Sequence, residues 1–247
     1  MKPIRRYKGK VILGIIPARG GSKGVPRKNI RLLAGRPLIR YSIDLAKKCS
    51  FLYRTVVSTD SKEIASVAKH CGGDVPFLRP KALARDNTPM VQVLKHAVDL
   101  VEKEDRIKID YVVLLQPTNP LRLLKDVKGC VDKIIRTNAD SVITVVRVES
   151  MHPILMKRIE NDLIKPYCLK EIEGSCRQNY KPYAYMRSGG VYVAKRDVLM
   201  KSNSVRGKIS RPYITPSGRD LGIDSEIDLL VVEQLLRRRR KTGEYAL

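Results

Sequence analysis

The chain has 247 residues, enough for one sizeable α/β domain or a domain with a small annex. Its hydrophobic share of 43% supports a packed core and excludes a disordered basic tail. Net charge is +24, from 49 Lys and Arg against 25 Asp and Glu, which points to a polyanionic partner, either nucleic acid or a small phosphorylated, carboxylated substrate; a solvated surface rich in ion pairs is the alternative.

In chain order, "VILGII" (11–16) is an apolar run bounded by a Gly/Pro loop and is predicted to be a buried parallel strand. "PLIRYSIDLAKKC" (37–49) places Leu38, Tyr41, Leu45 and Cys49 at helical spacing, with Pro37 suited to the first helical position. "TVVST" (55–59) is a second strand, and "SKEIASVAKHCGG" a capped helix ending in glycine. "VPFLRP" is predicted as a short strand or extended edge, and "TPMVQVLKHAVDLVEKE" as a helix with Thr88 as N-cap and Pro89 at N1. "YVVLLQP" (111–117) is a central strand, "LLKDVKGCVDKIIRTN" a helix, and "SVITVVRV" (141–148) another strand. From about 149 to 187 the alternation breaks; "ILMKRIENDLIKPYCL" reads as a hairpin around Asn161–Asp162. "GGVYVA" restores a strand, and "SEIDLLVVEQLLRRRR" closes with an amphipathic helix. Its final basic run suits the negative end of a helix dipole, which favours a structural role over a nucleic-acid handle.

This order predicts an α/β fold with a doubly wound, mainly parallel sheet, whose ligands bind at the carboxyl ends of the strands. No apolar run approaches the roughly 20 residues needed to span a bilayer, and no h-region follows the basic N-terminus, so neither membrane nor signal peptide is expected. Cys49, Cys71, Cys130, Cys168 and Cys176 are scattered, with no C-x-x-C pair. That argues against a disulfide framework or zinc site and fits a reducing cytoplasm. With no Trp and only Phe51 and Phe77, base-stacking platforms are scarce, which argues against a nucleic-acid partner.

The stretch "IPARGGSKGVPRKNI" (16–30) carries the chemistry. Gly20, Gly21 and Gly24 would let backbone N–H groups approach oxygen atoms, while Arg19, Lys23, Arg27 and Lys28 supply countercharge. The spacing is neither G-x-x-x-x-G-K-S/T nor G-x-G-x-x-G. A merely structural basic turn is disfavoured, because clustered like charges repel unless an anion sits among them.

With "GRPLIRYSI", this stretch closely resembles the N-terminal signature of the acylneuraminate cytidylyltransferases, the CMP-sialate or CMP-nonulosonate synthetases. The likeness continues through "VVSTD" (56–60), "FLRPKALARDNTP" (77–89), "LLQPTNPLR" (114–122), "RQ" (177–178), "SGGVYV" (188–193) and "GIDSEIDL" (222–229). It implies a Rossmann-like nucleotidyltransferase fold in a single domain over 1–247, with a dimerisation annex at about 149–187. It further implies an enzyme that joins CTP to an acidic nine-carbon keto sugar and releases pyrophosphate, as a homodimer using Mg²⁺. By resemblance, Arg19, Gly20, Gly21, Ser22 and Lys23 contact the triphosphate, with Lys28 and Asn29 holding phosphate and nucleotide. Arg79 lies near cytosine and ribose, Asp86 and Thr88 at the rim. Gln116 binds the sugar, joined by Lys157, Arg177, Gln178 and Arg187. Asp224 holds Mg²⁺, a hard cation suited to carboxylate and phosphate oxygens; Arg19, Lys23 and Asp224 are the implied catalytic set.

Simpler readings exist: Gln116 could cap a strand and Asp224 a helix. Two departures stand out. Relatives often carry D-x-D where this chain has Gly222 before Asp224, and R-x-N-G where it reads "MRSGG", which shifts Arg187 by one position. The Kdo branch carries a loop nearer "YxSTRLPGKPL", and pseudaminate enzymes "D-x-F-A-T" in place of "ARDNTP"; both rank below an N-acetylneuraminate or legionaminate substrate. A basic nucleic-acid-binding protein is the alternative from another class.

Overall fold

The structure, a computed structural model, describes residues 4–241 apart from 149, 172 and 220. β1 (Ile12–Pro17) is buried along its whole length, as an unbroken apolar run inside a parallel sheet must be. β2 (Leu32–Leu33) and β3 (Arg36–Pro37) form a small antiparallel clip leading into α1 (Leu38–Lys48). The alternation then runs β4 (Arg54–Ser58), α2 (Lys62–His70), α3 (Met90–Asp105), β5 (Tyr111–Leu114), α4 (Leu124–Thr137), β6 (Ser141–Val148). A hairpin of β7 (Lys157–Glu160) and β8 (Leu163–Pro166) follows, then β9 (Ala184–Lys195), α5 (Arg196–Lys201), β10 (Ser210–Thr215) and α6 (Glu226–Lys241).

The main sheet has the order β10-β6-β9-β5-β1-β4. β4, β1, β5, β6 and β10 share one direction, while β9 runs antiparallel between β5 and β6. Alternate side chains divide between two cores. Ile12, Ile16, Val57 and Val113 pack with Ile39, Ile43, Ala68, Val127 and Val131 from α1, α2 and α4. Leu13, Ile15, Val56 and Val112 pack with Leu94, Val98 and Val101 from α3 and with Leu199 from α5. This is the doubly wound arrangement, and both faces are covered. A third cluster joins Val25, Leu33 and Leu38 to Leu121, Ile223, Leu229, Val232 and Leu236, so α6 packs directly against the loop after β1.

The expected hairpin turn is present: Asn161 and Asp162 both have positive φ (49° and 62°), as a two-residue type I′ turn requires. Ala184–Arg187, inside the predicted 149–187 insertion, already pair with β6. Other expectations shift. Pro37 and Pro89 take the N-cap positions of α1 and α3 rather than N1, because ψ is extended (136° and 135°) at each. Thr88 is therefore not the N-cap; its hydroxyl donates to the Ala82 carbonyl, and α3 starts without a side-chain cap. "VPFLRP" forms only one isolated bridge, from Leu78 to Thr59 just past β4, while Asp74 before it bridges Val56. β10 was not anticipated, because Pro212 interrupts its pattern; as an edge strand it tolerates the missing donor. In the final basic run Arg237 pairs with Glu233 and Arg239 donates to the Leu121 carbonyl, so both serve the fold.

Candidate active site

The loop after β1 leaves the carboxyl edge of the sheet and is held by specific hydrogen bonds. Ala18 N–H donates to Ser58 O, Gly20 N–H to the Asp60 carboxylate (3.0 Å), and the buried Asn29 amide to Arg19 O (2.9 Å). Arg27 then takes a left-handed turn (φ 56°) into a 3-10 turn at Lys28–Ile30. Lys28 extends under the loop, donating to Ile223 O (2.8 Å) and pairing with Asp224 (3.1 Å). Gly24 is required there: a Cβ would collide with the Asp224 carbonyl. The loop and the segment before α6, some two hundred residues apart in sequence, thus form opposite walls of one cleft.

That cleft is a cavity of about 350 Å³ lined by Arg19, Ser22, Lys23, Gly24, Lys28, Asn29, Arg79, Gln116 and Asp224, together with Thr118. Nine of these residues were expected from sequence; Thr118, in the turn after β5, was not singled out. A separate pocket beside Lys47, Cys49 and Arg54 lies between α1 and β4, away from the loop.

Within the cleft the charge is arranged to receive an anion. The guanidinium of Arg79 is buried, and its Nε and Nη2 have no hydrogen-bond partner; Asp60 lies 3.7 Å from Nη2. Burial pulls the Arg79 pKa below its ordinary value, and the nearby Asp60 carboxylate opposes that. Arg19 and Lys23 both bond one exposed carboxylate, Asp86, each at 2.7 Å. The Lys23 contact holds the Asp86 carboxyl below its usual range, with Arg19 assisting. Asp86 therefore stands where an anionic oxygen would stand. Gly20 and Gly21 carry the loop past these cations without lining the cleft themselves.

A second cavity of about 310 Å³ shares Gln116, Thr118 and Asp224 with the first, and is completed by Asn119, Met186, Arg187, Ser188, Gly189, Tyr192 and Gly222. Gln116 sits at their junction. Its carbonyl is fixed by the buried Arg122, which also donates to Gly190 O on β9, while the Ile223 N–H donates to Thr118 O. The turn after β5 is thereby tied to both flanking walls. Arg187 lines this cavity despite its shifted sequence position. Lys157, Arg177 and Gln178 line neither cavity; Lys157 pairs with Glu171 in the 150–183 segment. Asn119 and Arg122 lie within "LLQPTNPLR" and are both buried, which nothing in the local pattern marks.

Asp224 is not the cap of α6. Ser225 takes that place in a reciprocal arrangement with Asp228, whose carboxylate accepts from the N–H groups of Asp224 and Ser225. The Asp224 side chain is left exposed (89%) at the mouth of both cavities. Among the described residues no three His, Cys, Asp or Glu groups cluster as a metal cage. The donor set fits Mg²⁺ only in its usual nucleotide-bound manner, through one carboxylate with phosphate and water oxygens completing the shell.

The model of the cytidylyltransferase family matches residues 13–201. The chain is 35% identical over 230 residues to the CMP-N,N'-diacetyllegionaminic acid synthase of Legionella pneumophila, covering 91% of this chain and 96% of that protein. It is 34% identical to the synthase of the same name from Campylobacter jejuni, covering 91% and 94%. A solved CMP:2-keto-3-deoxy-manno-octonic acid synthetase complexed with CTP superposes with a TM-score of 0.68 over 93% of this chain and 99% of that one, at 17% identity, which is a likeness of fold. No described helix is long and apolar enough to cross a membrane.

Proposed function

The chain belongs to the cytidylyltransferase family, and from that premise we propose that it joins CTP to a nonulosonic acid, an acidic nine-carbon keto sugar of the legionaminate or N-acetylneuraminate type, and releases pyrophosphate. The single observation that carries this reading is the pair of cavities meeting at Gln116. One is walled by the loop cations and by Arg79; the other opens between β9 and Gly222.

In this reading the triphosphate lies against Arg19, Ser22 and Lys23, displacing Asp86 from the two cations. Arg79, short of partners and buried, faces the nucleotide from below. Gln116 and Arg187 hold the sugar, whose 2-hydroxyl attacks the α-phosphorus in line. The new O–P bond forms as the bond to the pyrophosphate oxygen breaks, and the hydroxyl proton is released. Such a transfer depends mainly on positioning and on charge stabilisation by fixed cations and N–H groups. Mg²⁺ held by Asp224 would neutralise phosphate oxygens at the same mouth.

The 150–183 segment exposes Met151, Ile159, Leu163, Ile164 and Tyr167, a density of apolar side chains that supports a homodimer through this annex. Five free cysteines, three of them buried, support a reducing cytoplasm.

The test is pyrophosphate release from CTP and Mg²⁺ with a panel holding N,N'-diacetyllegionaminic, N-acetylneuraminic, pseudaminic and Kdo-type acids. Release with one of the first two is the expected result, and silence with all four overturns the reading. A nucleic-acid binder would instead show binding whose log affinity falls linearly with log salt.

A further inference from the structure

Gly222 is the position where an acid was expected, and its surroundings in the fold are specific. Asn119 is buried (4% exposed) and lines the second cavity, yet its Oδ1 has no hydrogen-bond partner. Buried carboxamide oxygens without a donor are rare and costly, so an unpaired one in a cavity wall points to a donor brought by a ligand. The amide is wedged between two glycines. A Cβ on Gly189 would stand 3.1 Å from Asn119 Nδ2, and one on Gly222 3.7 Å from it. Gly189 has φ +75°, so its backbone alone accounts for glycine. Gly222 has no such requirement, and a side chain there would extend from beside Asn119 into the shared cavity. Glycine at 222 leaves the space beside the buried amide free of a side chain.

We propose that Asn119 is a sugar-reading residue: its buried carboxamide accepts a hydrogen bond from a hydroxyl or amide N–H of the acidic sugar, through the opening that Gly222 provides. This rests on the assignment of the second cavity to the sugar. It assigns a specificity role to the turn after β5, beside Gln116.

The experiment is steady-state pyrophosphate release with whichever acid of the panel the native enzyme turns over, comparing it with Asn119→Leu. Leucine keeps the branching and heavy-atom count and removes the polar group, although it is the bulkier side chain. The KM for sugar should rise about tenfold or more, the worth of one hydrogen bond left unmade in a buried site, with the KM for CTP within twofold. Tm should hold or rise, because the folded protein no longer buries an unpaired oxygen. A purely structural Asn119 would do the opposite, lowering Tm and moving both KM values together. Asn119→Ser, which is smaller and easily accommodated, should show the same KM split if leucine does not fold. Sugar KM within twofold of native in a folded variant overturns the proposal. Native enzyme that is inactive with every sugar overturns the substrate reading itself, and this proposal with it.

Discussion

Lys23 and Asp86 show how one residue can carry function without carrying the fold. The Lys23 side chain is 82% exposed and its ion-pair partner is Asp86. Lys23→Ala should therefore leave Tm unchanged while lowering kcat/KM for CTP by about 100-fold or more, the scale of losing one group that stabilises developing charge. Near-native rates in that variant would sink the phosphate-loop assignment. Asp86 occupies both cations before nucleotide arrives, so Asp86→Asn should lower the KM for CTP several-fold. Because its carboxyl is held below the usual range, the clasp is present through neutral pH and is lost only as pH falls through that depressed value. Titrating CTP binding against pH, native beside variant, checks both statements: the two proteins should differ at neutral pH and converge in acid.

Among the elements, the loop after β1 and the segment leading into α6 depend on each other. Gly24→Ala places a methyl group against the Asp224 carbonyl, backbone that cannot swing aside. It should cost about 1–3 kcal/mol of stability, as overpacking does, and raise the KM for CTP as the loop is displaced. Unfolding midpoints and kinetics together read this out; a change in neither would mean the two walls are not in contact.

The N-terminal arm is tied to α4 through Asp132, which accepts from Tyr7 (2.9 Å), Lys8 (2.6 Å) and Lys128 (2.7 Å). Burial works to raise the Asp132 carboxyl, but hydrogen bonds from Lys128, Lys8 and Tyr7 outweigh it and hold it at about 2. A depressed folded value contributes stability that is present above the ordinary 3.8 and lost as pH falls towards about 2. Asp132→Asn should thus lose about 1 kcal/mol at neutral pH, after allowance for its partial exposure, and only a small part of that at pH near 2. Thermal unfolding at the two pH values decides it, and an equal loss at both would refute it.

At the scale of the molecule, the exposed apolar side chains of the β7–β8 hairpin need a neighbour. Ile159 and Ile164 are 76% and 75% exposed, opposite each other in the antiparallel register. If the annex forms the dimer, Ile159→Lys should turn it into monomer by light scattering while Tm of the main domain holds. An unchanged mass would locate any dimer contact elsewhere.

The alternation of buried strands and amphipathic helices was legible because each is a local pattern. β1, β6 and the Asn161–Asp162 turn follow from residues only a few positions apart. The cation-rich glycine loop was legible for the same reason: its glycines and charges are adjacent in the chain. The antiparallel placement of β9 was not, since strand direction depends on where the 150–183 excursion returns. Nor was the double ion pair of Asp86, which joins residues over sixty positions apart. Asp224 could be read as a cap or as a ligand until Ser225 and Asp228 were seen to cap α6 between them. Asn119 and Gly222 lie a hundred residues apart and carry no local signal. The sequence alone therefore determined the elements and the charge of the loop, because propensity and period act over neighbours. Only the tertiary structure decided which walls meet at Gln116, because burial and an unpaired amide arise from contacts between distant segments.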